Sequence, residues 1–235
     1  MRHINFIETL EHEELIIAFV GAGGKTTTIF SLAKYFFNQG KRVGITTTTN
    51  IFDPRQEEDK TGKYSEVILE PFEEHAAYKT SSGPVVLAQQ VTPPKLKGIP
   101  SQRVGMLSKL FDIVFVEADG AKQRLVKAPA SWEPVVPASS DIVVGVIGAK
   151  CLGRPMDARI VFRPKTFESV TTCRAGEKIT PQHLLELIRH KKGLFKGAPQ
   201  CSKKVVLLVG LEDMETLLFL VDNIPNDINL STLKG

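Results

Sequence analysis

The sequence predicts an α/β fold with a doubly wound, mostly parallel sheet. From Leu15 onward, short apolar runs alternate with amphipathic helical patterns. Such runs are typical of strands that helices cover on both faces of a parallel sheet. The chain has 235 residues, of which 42% are apolar and 24% charged, and this is the composition of an ordinary globular protein. We therefore expect one domain over residues 1–235.

The first unit of the alternation covers residues 15–46. An apolar run ends at Val20, a helical pattern follows over 25–38, and Gly40 is suited to end that helix. Residues 41–46 then have the pattern of a second buried strand. A strand, a helix and a strand in this order predict a β-α-β unit with a right-handed crossover.

The rest of the chain continues the alternation. Apolar runs predict further strands at 83–89, 111–116, 142–147 and 205–209. Helical patterns predict helices at 101–110, 180–190 and 212–221. The charged stretch at about 52–82 is expected to be a surface excursion, and the Pro-rich stretch at about 121–140 an ordered loop.

Composition argues against several classes of partner. The net charge of +4 is spread along the chain without the cationic block typical of nucleic-acid binding. No apolar stretch is long enough to span a membrane, and no signal-peptide pattern is present. Cys151, Cys173 and Cys201 are dispersed, which favours a reducing compartment over disulfides or a zinc site. We expect a cytoplasmic protein with neither a nucleic-acid nor a membrane partner.

A glycine-rich turn joins the first predicted strand and helix, with the sequence Gly-Ala-Gly-Gly-Lys-Thr-Thr from Gly21 to Thr27. Glycines let the backbone present N–H groups to an anion, and the start of the helix adds more of them. Lys25 is suited to reach the outer phosphates of a nucleotide, and the Thr26 hydroxyl to bind Mg²⁺. Phe19 stands where the usual G-x-x-x-x-G-K-[ST] motif has its first glycine, so this turn is a shorter variant.

The turn predicts a fold of P-loop NTPase type with a short phosphate-binding loop. ATP or GTP with Mg²⁺ is the expected ligand. The predicted nucleotide-binding residues are Gly21, Ala22, Gly23, Gly24, Lys25, Thr26 and Thr27. The alternative is a turn whose glycines serve packing alone.

Two acids, Glu117 and Asp119, follow the strand predicted at 111–116. An acid at this place in P-loop proteins holds Mg²⁺ or orients the attacking water, although an Asp-Gly turn is a common alternative. Thr47, in a run of threonines after the second strand, offers a further hydroxyl or simply reflects the strand preference of threonine. The predicted metal ligands are Thr26, Thr47, Glu117 and Asp119, and the predicted catalytic residues are Lys25, Glu117 and Asp119.

Cations follow these acids along the chain. Lys122 and Lys127 are suited to hold anionic substrate oxygens near the metal, or they belong to a solvated loop face. Trp132 is suited to stack on a base, but a single tryptophan more often anchors packing.

In order and approximate spacing, these motifs resemble the YqeC family over about residues 15–210. The stretches that carry the resemblance are Phe19-Val-Gly-Ala-Gly-Gly-Lys-Thr-Thr, Ile45-Thr-Thr-Thr-Thr, Lys95-Leu-Lys-Gly, Val116-Glu-Ala-Asp-Gly-Ala-Lys, Lys127-Ala-Pro-Ala and Glu133-Pro-Val-Val-Pro. Members of this family are described as accessory proteins of selenium-dependent molybdenum hydroxylases. The resemblance implies a nucleotide-binding protein that matures such an enzyme, with that enzyme and its molybdopterin-type cofactor or selenium ligand as partners.

The chain departs from the family pattern at two places. Val209-Gly-Leu-Glu212 replaces the Asn-Lys-x-Asp that reads guanine, so ATP is at least as plausible as GTP. Phe162-Arg-Pro-Lys165 replaces His-Arg-Pro-Glu, which leaves Arg163 as the residue suited to touch phosphate.

Three functions fit these observations. The first is a Mg²⁺-dependent NTPase or a phosphoryl or nucleotidyl transferase, because such chemistry depends mainly on positioning and electrostatics. The second is a chaperone or switch that uses nucleotide to change its grip on a client enzyme. The third is a non-catalytic binder of the pterin cofactor, whose phosphate would occupy the same loop.

Overall fold

A computed structural model of the chain describes residues 6–10, 15–56, 64–72 and 81–233. Its strands are β1 (Leu15–Gly21), β2 (Val43–Thr47), β3 (Asn50–Phe52), β4 (Glu66–Leu69), β5 (Val85–Ala88), β6 (Gln90–Thr92), β7 (Lys95–Lys97), β8 (Ile113–Glu117), β9 (Val126–Lys127), β10 (Ile142–Gly148), β11 (Val161–Phe162), β12 (Lys203–Val209) and β13 (Ile228–Leu233). Its α-helices are α1 (Phe6–Thr9), α2 (Lys25–Asn38), α3 (Pro164–Val170), α4 (Pro181–Arg189) and α5 (Met214–Asn223).

Eight strands form one sheet in the order β13-β12-β10-β1-β8-β2-β5-β4, and all of its pairings are parallel. The chain leaves β1 toward one edge of the sheet through β2, and later fills the other side with β10, β12 and β13. This order confirms a doubly wound parallel sheet. In such sheets, ligands bind beyond the carboxyl ends of the strands, at the point where the strand order reverses. That point is the end of β1, where the glycine-rich turn begins.

Helix α2 covers one face of the sheet. Residues alternate along a strand between the two faces, so Ile17 and Phe19 of β1 face α2 together with Phe115 of β8. The Phe19 ring lies 5.9 Å from the ring of Phe115, edge to face. Ile29 and Phe36 of α2 belong to the same buried cluster, and this packing fixes the helix above β1.

The opposite face packs against the later helices. Ala18 and Val20 of β1 belong to a second buried cluster with Phe167 of α3, Leu184 of α4 and Leu220 of α5. Both faces of β1 are therefore closed, which agrees with its apolar sequence at every position. None of the described helices combines the length and the apolar character needed to cross a membrane.

The first predicted unit and the long later elements are found, with three differences. Strand β8 lies between β1 and β2, so the two strands of the unit are not neighbours. Residues 101–109 form a 3₁₀ helix. The predicted excursion at 52–82 contains β4, which is the edge strand of the main sheet. Its residues are only partly buried apart from Ile68, and its apolar run, Val67 to Leu69, is only three residues long and stands between Glu66 and Glu70.

A small antiparallel sheet of order β3-β7-β6 lies beyond the end of β2. The backbone N–H groups of Gly98 and Ile99 donate to the carbonyls of Thr49 and Thr47 at 2.7 and 2.9 Å. A Cβ at position 98 would lie 2.1 Å from the Thr47 oxygen, so this close approach requires glycine. The small sheet is thereby held against the carboxyl end of the main sheet.

Candidate functional site

The glycine-rich turn takes a left-handed backbone at three positions. The φ angles of Gly21, Gly23 and Gly24 are 91°, 89° and 120°. A Cβ at Gly23 would lie 2.3 Å from the backbone nitrogen of Gly148, so close packing would require glycine there even without the left-handed backbone. A Cβ at Gly24 would meet only the Val209 side chain, at 3.5 Å, so the backbone conformation explains the glycine there. Packing is thus an incomplete account of the turn.

The turn presents a run of unused backbone donors. Gly21 donates its N–H to Oδ2 of Asp119 at 3.1 Å, and Ala22 donates to the Val146 carbonyl at 2.9 Å. For the N–H groups of residues 23–27, the described part of the chain provides no acceptor, and the next amide, that of Thr28, bonds to Gly24. The run opens the 14-residue helix α2, whose positive dipole end adds to the attraction for an anion.

Thr26 and Glu117 form a direct contact at the edge of this run. The Thr26 hydroxyl donates to Oε2 of Glu117 at 2.8 Å. Burial raises the pKa of Glu117, and the nearby charge of Asp119 raises it further, against the opposing effects of Lys25, Thr26 and Lys127. A hydroxyl and a carboxylate side by side are oxygen ligands that suit Mg²⁺. A bound cation would favour the ionised carboxylate and lower this pKa.

Lys25 and Asp119 form a buried ion pair behind the turn. Lys25 Nζ lies 3.0 Å from Oδ1 of Asp119, and only 4% and 2% of the two side chains are exposed. The same ammonium donates to the Gly21 carbonyl at 2.6 Å. Because Asp119 also accepts the Gly21 N–H, the pair binds both backbone groups of Gly21 and sets the position of Lys25.

The pair extends into a charge chain, which consists of the buried residues Lys25, Asp119 and Lys127 and the partly buried residues Glu133 and Arg163. Lys127 Nζ lies 3.0 Å from Oδ2 of Asp119 and 2.8 Å from Oε2 of Glu133. Arg163 contacts Glu133 in turn. Burial raises the pKa of Glu133, but the hydrogen bonds from Arg163 and Lys127 outweigh it, so this pKa lies below its usual value.

The far end of the charge chain, Arg163, contacts the predicted Pro-rich loop at 121–140 through Glu133 and Trp132. The Arg163 guanidinium lies 4.5 Å from the ring centre of Phe162 and 5.3 Å from that of Trp132. Lys196 donates to the carbonyls of Ala130, Ser131 and Glu133 at 2.6 to 2.7 Å. These contacts give the loop a fixed shape.

A cleft of about 940 Å³ opens over the turn. Of the predicted site residues, it brings together Gly23, Gly24, Lys25, Thr26, Thr27, Glu117 and Lys122. The lining also includes residues to which the sequence assigned no role, among them Phe30, Asn50, Phe52 and Lys95. The signal for Lys95 was present in the Lys-Leu-Lys-Gly stretch, which contributed to the family resemblance without being assigned a role.

The other predicted residues lie outside the cleft lining. Thr47 donates its hydroxyl to the Glu117 carbonyl at 2.7 Å, and Asp119 is enclosed by its ion pairs. Lys127 is 1% exposed, so in this structure its ammonium contacts protein groups and does not face the cleft. Trp132, expected to anchor packing, is 70% exposed.

A second group of potential metal ligands comprises Cys173, Glu177 and His183, whose ligand atoms lie within 4.8 Å of one another. His183 Nδ1 accepts the Thr180 N–H at 3.1 Å as part of the cap of α4. Glu177 accepts the Arg174 N–H at 2.7 Å. Burial raises the pKa of Cys173, which disfavours the thiolate that binds metals. Local structure thus accounts for this group.

The fold and the turn define an α/β protein whose glycine-rich strand-to-helix loop opens into a cleft at the carboxyl edge of a parallel sheet. The chain belongs to the YqeC family, because the family model described as YqeC protein matches residues 17–165. A relative from Escherichia coli (strain K12), named Uncharacterized protein YqeC, is 31% identical over 192 residues, which cover 81% of this chain and 73% of the relative. No solved structure matches the chain.

Replacing Lys127 by Met should lower the free energy of unfolding by about 3–5 kcal/mol, because the buried Asp119 and the partly buried Glu133 would each lose one of their two cationic partners. Urea denaturation measures the loss. The matched control is Lys122→Met, whose side chain is exposed and has no carboxylate partner in the described residues. Its effect should stay within about 0.5 kcal/mol. Equal stability of the two variants would mean that the charge chain contributes nothing to folding.

Replacing Glu117 by Gln should make the stability of the ligand-free protein less sensitive to pH. Burial raises the pKa of Glu117 in the folded protein. The free energy of unfolding therefore falls as pH rises from the usual pKa of a glutamate, about 4.3, through the folded value. The variant lacks this loss, so its melting temperature should exceed that of the wild type at about pH 8 more than at about pH 5. Thermal melts without Mg²⁺ across this range measure the difference. A difference that does not change with pH would contradict the raised pKa.

Proposed function

We propose that this protein binds a nucleotide with Mg²⁺ at the glycine-rich turn and hydrolyses it, or transfers its phosphoryl or nucleotidyl group. One observation carries the proposal: the Thr26–Glu117 contact adjoins residues 23–27, whose five N–H groups have no acceptor among the described residues, and all of these residues line a single cleft. Anion donors and oxygen ligands for a cation are the two requirements of a nucleotide with its metal.

Each residue of the turn has a role in this proposal. The N–H groups of residues 23–27 would receive phosphate oxygens, and the ammonium of Lys25 would neutralise part of their charge. Thr26 and Glu117 would hold Mg²⁺, which supplies charge stabilisation on the phosphate oxygens when bound. Asp119 is better suited to position Lys25 than to bind the metal, because its oxygens face two ammonium groups and an N–H.

The proposed nucleotide carries either adenine or guanine as its base. Val209 lies next to Gly24, and the residues that follow it lack the Asn-Lys-x-Asp sequence that reads guanine. ATP and GTP are therefore both tested below.

We further propose that the reaction serves the maturation of a selenium-dependent molybdenum hydroxylase or its molybdopterin-type cofactor. The support is the family, together with a cleft large enough for a nucleotide and a second small molecule. The protein would then act in the cytoplasm.

A nucleotide-controlled switch is the second candidate function, and the charge chain described above favours it. Lys25 at the turn is connected through Asp119, Lys127 and Glu133 to Arg163, which stacks near the exposed Trp132. A phosphate that competes for Lys25 would weaken the ion pair between Lys25 and Asp119. The change would be passed along the charge chain to Arg163 and the surface around Trp132. A client enzyme docked at Trp132 would sense the change. Stimulation of hydrolysis by that client would distinguish the switch from a simple enzyme.

Isothermal titration calorimetry with MgATP and MgGTP tests the proposal. The wild type should bind at least one of them, and Lys25→Ala should weaken that binding by about 10- to 100-fold, as expected for the loss of a charged hydrogen bond. The control is Lys34→Ala, on the exposed side of the same helix. It should bind like the wild type.

A second variant covers the risk that Lys25→Ala misfolds because Asp119 loses its partner. The double change Lys25→Met with Asp119→Asn removes both charges at once, and it should fold yet bind nucleotide weakly. Wild-type protein that binds neither nucleotide would reject the proposal. Binding of a phosphorylated pterin alone would then favour the non-catalytic cofactor binder.

A further inference from the structure

The small sheet turns one polar and aromatic face outward. In its antiparallel register, Phe52 lies opposite Lys95, and Lys95 lies opposite Thr92. Opposed residues share a face, and their neighbours along the strands point the other way. Ile51 and Leu96, on the inner face, are buried. Phe52 is therefore directed away from the core, and 48% of its surface is exposed.

Part of this outer face forms a wall of the cleft. Asn50 and Phe52 of β3 and Lys95 of β7 line the cleft together with the glycine-rich turn, as does Ile51 from the inner face, whereas Lys97, on the outer face, does not. Lys122 lines the cleft from the segment that follows Asp119. An exposed aromatic ring and two ammonium groups thus share one cavity with the turn.

Within the described part of the chain, no acid forms an ion pair with either of these two cations. Neither Lys95 nor Lys122 has a carboxylate partner among the residues that the structure describes. Asp53, the acid next to Phe52 in the chain, is paired with Arg55 at 2.7 Å. An aromatic face beside unpaired ammonium groups suits a flat molecule that carries negative charge.

The wall lies on one particular side of the turn. Thr26 contacts Glu117 on β8, and β3 follows β2, the next strand beyond β8. On the other side, Gly24 lies against Val209 of β12. In P-loop sites the metal ion and the lysine contact the outer phosphates of the nucleotide. The Phe52 wall therefore lies on the side of the terminal phosphate, and the base would extend toward β12.

We propose that Phe52, Lys95 and Lys122 form the subsite of a second substrate, a planar anionic molecule that stacks on Phe52 and pairs with the two lysines. The proposal rests on the proposed function for its nucleotide but names a separate set of residues. It implies that the cleft holds two ligands at once, with the ring of the second one beside the terminal phosphate.

Fluorescence titration with pterin-6-carboxylate tests the subsite, because this probe is flat, anionic and fluorescent. Phe52→Ala should weaken its binding about tenfold or more, as for the loss of one stacking face. Lys95→Gln should weaken binding of this probe several-fold and leave binding of pterin, which lacks the carboxylate, unchanged. Glutarate, an anion without a ring, should not displace the probe at equal concentration. The controls are Lys97→Gln on the same face and Leu218→Ala, an exposed apolar residue elsewhere, and both should bind like the wild type.

Calorimetry with MgATP on the same variants separates the two proposals. Normal nucleotide binding with loss of the probe in Phe52→Ala and Lys95→Gln is the expected result. Failure of the wild type to bind the probe, or unchanged probe binding in both variants, would overturn the subsite and leave nucleotide binding intact. Loss of MgATP binding in Phe52→Ala would assign Phe52 to the base and also overturn it. Wild-type protein that binds the probe but not MgATP would reject the proposed function and leave the subsite intact.

Discussion

The buried ion pair between Lys25 and Asp119 is the constraint on which the rest of the site depends. Both groups are almost fully enclosed, so each requires the other, and together they bind the N–H and the carbonyl of Gly21. This fixes the first residue of the turn relative to the end of β8. Residues 23–27 line the cleft, and the described part of the chain offers no acceptor for their N–H groups.

The same pair explains why so much charge lies beneath the site. A carboxylate placed between two ammonium groups needs further acids to balance them, and Glu133 supplies one next to Lys127. Arg163 then balances Glu133 at the edge of the loop. The Pro-rich loop is thus ordered by the electrostatics of the turn as well as by its own packing, and it connects the turn to the surface around Trp132.

The elements that could be predicted from the sequence are those with a clear local pattern of residues. β1, β10 and β12 lie inside the sheet, so their apolar runs are long, and the spacing of the turn is contained in seven consecutive residues. Edge strands such as β4 expose one side and lack that signal. The burial of Lys127 depends on Glu133 and Arg163, which only the fold brings together. The Phe52 wall likewise depends on the pairing of β3 with β7.

The central claim is that Thr26 and Glu117 hold a metal ion beside phosphate bound at the turn. Pulsed electron–nuclear double resonance with Mn²⁺ in place of Mg²⁺ tests it most directly, because it detects ³¹P nuclei bonded through oxygen to the metal. The account predicts a ³¹P coupling from Mn²⁺ and nucleotide in the wild type that is lost or strongly reduced in Thr26→Val. A coupling that is unchanged in this variant, or absent from wild-type protein with bound nucleotide, would contradict it.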